Sequence, residues 1–447
     1  MRYFALVLRV GKWKTWFVLC SFFRRTLLAN TSDRRRPEIM KTHSIEYNVF
    51  MNMVLTSSKL IFPLLTVPYA ARILSTYGTG AVAFAQSVAS YFGLAAVLGM
   101  TNYGITTCAK VRDNPAELSA TVRELMSILA VSTALSTVVY ICSCFTVPRL
   151  VENRSLFLLF GCTILLTSMG VEWLYQALEQ YTYITIRSIV FKFLGLVLMF
   201  LLVRERSDYF TYGVIVIISG YLSNVLNMVR LRRYISTPPE RRISPQSHLA
   251  PMAWYSIAAV SSGMYTQTDI VLLGFLGTTD MVGLYQLVSK IKSLAITAMN
   301  SVGNVLLPRL SYYASKDREA DANRLIGKNV NFVVIAASAW IAFCLLCAKP
   351  VILILGGSDF SEAATPLILA SPSVAFSALN IAFAGYLMSH SREREWAVIN
   401  VIGLILAAIY NSVLIPRFGV QGSAIGVTLT ELSVLVLRAS RCGGLVK

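Results

Sequence analysis

Charge is scarce in this chain. Asp, Glu, Lys and Arg make up only 14% of its 447 residues, against about 25% in soluble domains. Acid is the scarcer sign, with 22 Asp and Glu against 40 Lys and Arg. In a soluble chain that excess of base would point to nucleic acid. A soluble chain is excluded, because 55% of residues are hydrophobic and the mean hydropathy is +0.62. Only three histidines occur, His43, His248 and His390, all near loops, and they form no Ser/His/Asp arrangement. There is no Walker A sequence, so no nucleotide is hydrolysed by that route. Eight cysteines form no disulfide framework. Cys344 and Cys347 are spaced C-x-x-C, but they sit in an apolar run with no His or carboxylate nearby. They read as packing thiols, and no metal is expected.

What the chain has instead is long apolar runs. About twelve recur, at 48–72, 80–102, 122–146, 155–177, 183–203, 209–230, 251–276, 283–308, 328–348, 363–388, 395–416 and 420–438. This predicts an all-α polytopic membrane protein. The basic residues test its sidedness. With 41–47 inside, the inner loops collect Lys110, Arg112, Arg123, Arg230, Arg232, Arg233, Arg241, Arg242, Arg309, Lys316, Arg318, Arg324, Lys328, Arg392 and Arg394. The outer loops hold fewer, among them Arg72, Arg149 and Arg206, and the loop 277–282 has none. Both termini are therefore expected in the cytoplasm, and the excess of base answers to the bilayer rather than to nucleic acid.

Residues 1–43 form a basic N-terminal arm. Residues 1–39 can be read as a signal peptide, though no clean small-residue cleavage site follows, as an amphipathic arm on the membrane surface, or as an upstream extension with Met40-Lys41-Thr42 the start just before the first span. The Pro- and Arg-rich stretch 231–250 splits the spans six and six. Bundles are expected at 44–230 and 251–440, with a tail at 441–447. The halves show weak self-similarity at an offset of 200, which aligns Gln86 with Gln286. Both repeats start on the same side, so they are parallel repeats related by an axis along the membrane normal. A substrate cavity is expected between them.

Polar side chains inside the spans mark that cavity. Gln286, Lys290, Ser293, Thr297, Asn300 and Asn304 follow one another at spacings of four and three, one face of a helix. Lipid would leave such a stripe unsatisfied, so it should face protein or water. Asn52, Thr56, Lys59 and Thr66 form a second stripe. Lys59 lies roughly 17 Å into its helix, too deep to snorkel easily. Lys192 is nearer the inner surface, and Lys292, off the stripe, is expected to snorkel. Hairpin geometry pairs Asp269 with Lys290 and Glu172 with Arg187, as static neutralisation or as a switch that opens on transport. The intramembrane acids are read as Glu172, Glu179 and Asp269. Pro63 and Pro68 kink the first span, as a packing feature or as a gate. The cavity charge is thus cationic and suits a phosphate or pyrophosphate.

The segments Pro63 to Leu74, Ala83 to Ser87, Glu172 to Tyr181, Ile186 to Ser188, Tyr265 to Gly274 and Leu307 to Ser311 carry a resemblance. Over about 44–440 the chain resembles the bacterial polysaccharide (O-antigen type) flippase family. That family is part of the multidrug/oligosaccharidyl-lipid/polysaccharide exporter superfamily. The resemblance implies movement of an undecaprenyl-pyrophosphate-linked oligosaccharide across the bacterial inner membrane by alternating access between two bundles. It also implies a coupling ion, proton or sodium, and partnership with a polymerase and a chain-length regulator. Gln86 and Arg187 are counted with the cavity residues. Two alternatives remain. A cation-coupled drug exporter would want cavity carboxylates, which Lys59 and Lys290 argue against. A membrane glycosyltransferase or ligase would need a positioned acid or base near a large loop, and the outer loops are short.

Overall fold

The computed structural model describes residues 45–235, 238, 241–315, 319–389 and 392–441. The expectations for the arm 1–43, the tail beyond 441, and the side chains of Lys59 and Asn304 lie outside the described residues.

Among those residues every regular element is helical. Eight stretches are long and apolar enough to cross a bilayer. Two of them hold two crossings each. Tyr47–Lys110 covers all but the first two residues of α1 (Ile45–Val97) together with α2 (Met100–Lys110), and α1 breaks at Ser75, whose φ is 58°. Thr79 steadies this break, since its hydroxyl donates to the Ser75 carbonyl at 2.8 Å. The second double stretch, Arg394–Arg441, lies in α15 (Glu393–Arg441), which breaks at Gly419, φ 55°.

The third to sixth spans are α3 (Pro115–Thr146), α5 (Arg154–Ser168), α7 (Tyr181–Leu202) and α8 (Tyr209–Ile217) continued by α9 (Asn224–Leu231). Short helices α4 (Pro148–Val151) and α6 (Glu172–Ala177) lie in two of the connections. Local chemistry sets the ends. Asn114 caps α3 by accepting from the N–H groups of Ala116 and Glu117, with Pro115 in the first turn. In the turn before α8, Asp208 accepts from the N–H groups of Arg204 and Glu205. Those two bonds hold its carboxyl below the ordinary Asp range.

The seventh span is broken. α10 (Gln246–Tyr265) stops, Thr266 and Gln267 step out, and α11 (Thr268–Leu276) resumes. α12 (Thr279–Ser315), α13 (Glu319–Gly356) and α14 (Ala364–Ser389) are spans eight to ten. Twelve spans result. They divide into two six-helix bundles, each packed chiefly on itself, which meet along spans one and two against seven, eight and nine.

The meeting is symmetric in detail. A methyl on Gly80 would strike the Thr279 carbonyl, and one on Gly283 would strike the Thr76 carbonyl. Thr76 with Gly80 thus mirrors Thr279 with Gly283, a separation of 203 residues. At this crossing the repeat register is three residues away from the offset of 200. Gln86 therefore corresponds in space to Ser289, not to Gln286. Backbone contact fixes this register, whereas a weak sequence match tolerates a slip of almost one helical turn.

Candidate functional site

A cavity of about 320 Å³ lies where the first bundle faces the eighth span. Ser58, Phe62, Pro63 and Thr66 of the first span, Gln86 of the second, Lys192 of the fifth, Ser219 and Gly220 of the sixth, and Gln286 and Lys290 of the eighth line it. Lys192 donates to the Ser58 hydroxyl at 2.8 Å, and its ammonium stands 5.9 Å from the centre of the Phe62 ring. No acidic side chain lines the cavity among the described residues. Two ammoniums and two primary amides in one water-accessible space make a site for an anion with hydrogen-bonding substituents.

Gln86, Lys192, Gln286, Lys290 and Pro63 are therefore together. Others are elsewhere. Asn52 and Thr56 are exposed, because the face of the first span that reaches the cavity carries Ser58, Phe62 and Thr66, a third of a turn away. Ser293, Thr297 and Asn300 do not line the cavity. The Thr297 hydroxyl donates to the Ser293 carbonyl at 2.7 Å, and the Ser293 hydroxyl to the Lys290 carbonyl at 2.8 Å. These two hydroxyls are satisfied within their own helix and need no cavity. Pro68 sits inside α1 but is not in the lining.

The charges pair differently from the hairpin estimate. Asp269, 6% exposed, has Lys292 at 3.7 Å, not Lys290, and accepts from the Tyr285 hydroxyl at 2.7 Å. Tyr285 and Lys292 are seven residues apart and share a helix face that points into the second bundle. Gln286 and Lys290 share the next face, which points at the cavity. Lys292 is accordingly held by an ion pair rather than snorkelling. Arg187 does pair with Glu172, and also donates to the Ser223 carbonyl and to Asn224 at 3.1 and 3.0 Å. It is buried outside the cavity lining. Glu179 pairs with Arg112 at 2.7 Å near the end of the bundle.

Two clusters escaped the sequence. Glu124 is fully buried and takes both terminal Arg241 nitrogens, at 2.6 and 2.8 Å, the Ser244 N–H and His248 Nε2, while Arg241 Nε donates to Glu117. His248 Nδ1 in turn lies 2.8 Å from the Tyr103 hydroxyl. In the second bundle Glu431 accepts from Asn380 at 2.8 Å, and Arg438 reaches the Asn380 carbonyl and Asn400. Both acids belong to spans, so the intramembrane acids are more than Glu172, Glu179 and Asp269. A single Glu in a long apolar run leaves little trace in a hydropathy average.

The ends opposite the 231–250 linker are tied across the bundles. Arg149 donates to the carbonyls of Gly274 and Gly277 at 2.9 and 3.1 Å, Arg206 meets Asp359 at 3.0 Å, and Arg72 reaches the Ile354 carbonyl.

Residues 46–314 match the family described as "Polysaccharide biosynthesis protein". The chain belongs to this family. Two curated proteins bearing the name O-antigen transporter are similar along most of their length. One is from Shigella dysenteriae, 22% identical over 87% of this chain and 98% of that protein. The other is from Escherichia coli strain K12, 21% identical over 88% and 95%. Among solved structures, the lipid II flippase MurJ in an inward closed conformation superposes with a TM-score of 0.71 at 12% identity, over 88% of this chain and 87% of that one. An inward-facing multidrug transporter of the MATE family superposes at 0.59 with 10% identity, over 86% and 98%. These two likenesses establish the fold. In this polysaccharide biosynthesis protein the two lysines of the cavity come one from each bundle, Lys192 from the first and Lys290 from the second.

Proposed function

We propose that the chain is a flippase that moves an undecaprenyl-pyrophosphate-linked oligosaccharide unit from the inner to the outer leaflet of the bacterial inner membrane, for O-antigen or capsule assembly. It is a transporter and not an enzyme, with both termini in the cytoplasm. The observation that carries this is the cavity charge: Lys192 and Lys290 enter it and no carboxylate does, among the described residues. A pyrophosphate is the anion that such a pair recognises. A cationic drug would meet two like charges there, so the drug-exporter alternative is disfavoured. Because the two lysines belong to different bundles, a bound pyrophosphate pulls the bundles together, and its release lets them separate. That is alternating access expressed as a change in differential affinity. The names of the relatives, O-antigen transporters, support the same class of substrate. Coupling to a proton or sodium gradient, and work beside a polymerase and a chain-length regulator, complete the proposal.

A deletion strain tests it. Complete lipid-linked repeat units should accumulate on the inner leaflet, and the wild-type gene should clear them. Accumulation of incomplete units instead would assign the chain to a glycosyltransferase step and overturn the flippase reading.

A further inference from the structure

The sixth span is not one continuous α-helix. Between α8 and α9 the chain makes a π-turn, Ile218–Leu222. A π-turn breaks the regular i to i−4 ladder and frees backbone polar groups from it, and such turns concentrate at functional sites. Inside a bilayer that irregularity is tolerated only where it is buried in protein or lines a water-filled cavity. Here it does the latter, since Ser219 and Gly220 are both in the cavity wall.

The turn is packed on one side and open in the middle. Gly195 of the fifth span packs so closely on Ser219 that a methyl on Gly195 would overlap the serine Cβ. The Tyr221 hydroxyl lies near the Gln86 side chain of the second span. Gly220 between them is exposed, and a Cβ there would meet nothing within 4 Å. Space is left over one residue while the serine beside it is packed against the fifth span, which is the form of a subsite rather than of a loose helix.

Its place relative to the charge follows from helix geometry. Lys192 and Gly195 both line the cavity and are three residues apart, so the crossing with Ser219 lies about 5 Å along the fifth span from Lys192. The lining there, Ser219, Gly220, Tyr212 and Gln86, is neutral and offers both donors and acceptors. A sugar ring presents hydroxyls of both kinds. The cavity, at about 320 Å³, is also small beside an oligosaccharide, so only the portion next to the anion enters it.

We propose that the π-turn Ile218–Leu222 is the subsite for the sugar directly attached to the pyrophosphate, with Gly220 giving it room and Ser219 and the freed backbone groups binding its hydroxyls. This rests on the flippase reading. Purified protein in lipid nanodiscs would be titrated with two probes, undecaprenyl pyrophosphate alone and the lipid-linked repeat unit isolated from a producing strain. The wild type should bind the repeat unit more tightly. Gly220→Val should weaken the repeat unit by about tenfold and leave undecaprenyl pyrophosphate within about twofold. Gly220→Ala should act in the same direction, less strongly. Retained binding of the sugar-free probe doubles as the check of folding. Equal affinity of the wild type for the two probes, or equal loss of both in the two variants, overturns the subsite and leaves the flippase reading standing. A wild type that binds neither probe overturns that reading and the subsite with it.

Discussion

Gly80 and Gly283 face each other across the two bundles, each placed so that only a hydrogen fits against the carbonyl four residues before the other. The contact is reciprocal, and Thr76 adds a hydrogen bond to Asp280 beside it. Backbone-to-backbone approach of this kind maximises packing between membrane helices, where no hydrophobic driving force separates helix from lipid. It also makes the crossing intolerant of volume.

Gly80→Ala or Gly283→Ala should therefore hold the bundles apart at this end. The expected cost is about 1–3 kcal/mol of overpacking. With Thr76→Cys and Asp280→Cys in place, disulfide yield should fall sharply in either alanine variant. Unchanged yield would mean that the crossing is not the closed contact of the working transporter.

Asp269 and Lys292 form a buried pair, so removing one partner strands the other. Lys292→Met should lower stability by about 3 kcal/mol, and adding Asp269→Asn should restore part of it. Lys290→Met, at a cavity position, should leave the unfolding temperature close to that of the wild type. Thermal unfolding in detergent measures all three. Equal destabilisation by Lys290→Met and Lys292→Met would contradict the two-face assignment of the eighth span.

The cavity lysines should behave oppositely, with function lost and stability kept. Lys290→Met and Lys192→Met should each cut surface polysaccharide strongly at normal protein levels. Lys290→Arg should keep part of the activity, because a guanidinium supplies the charge with different geometry. Full export by both methionine variants would remove the anion-binding role.

Glu124 anchors Arg241 of the linker and His248 of the seventh span to the third span. Glu124→Gln removes the buried carboxylate from a guanidinium that is partly exposed and still bonded to Glu117, and should cost about 2–3 kcal/mol. His248→Ala loses the hydrogen bonds to Glu124 and to Tyr103 and should cost about 1–2 kcal/mol. Proteolysis within 231–250 should quicken in Glu124→Gln. No change in cleavage would show that the linker is held by something else.

The sequence by itself determined the class and the plan. Twelve spans in two bundles and a cationic cavity were legible because hydropathy and charge bias are sums over local windows. Gln86, Lys192, Gln286 and Lys290 could be named because a polar group in an apolar run must find a reason nearby. Tertiary structure alone decided which way each helix is turned. Lys290 and Lys292 are two residues apart, yet one enters the cavity and the other pairs with Asp269, since a helix rotates by about 200° over two residues. Ser293 and Thr297 needed no cavity, because each hydroxyl bonds a carbonyl of its own helix. Arg149 and Arg206 looked like exceptions to a charge bias until the far ends of the bundles brought Gly274, Gly277 and Asp359 to them. The π-turn at Ile218–Leu222 has no sequence signal of its own. It lies where Gly195 presses on Ser219, and that contact exists only once the fifth and sixth spans are packed together.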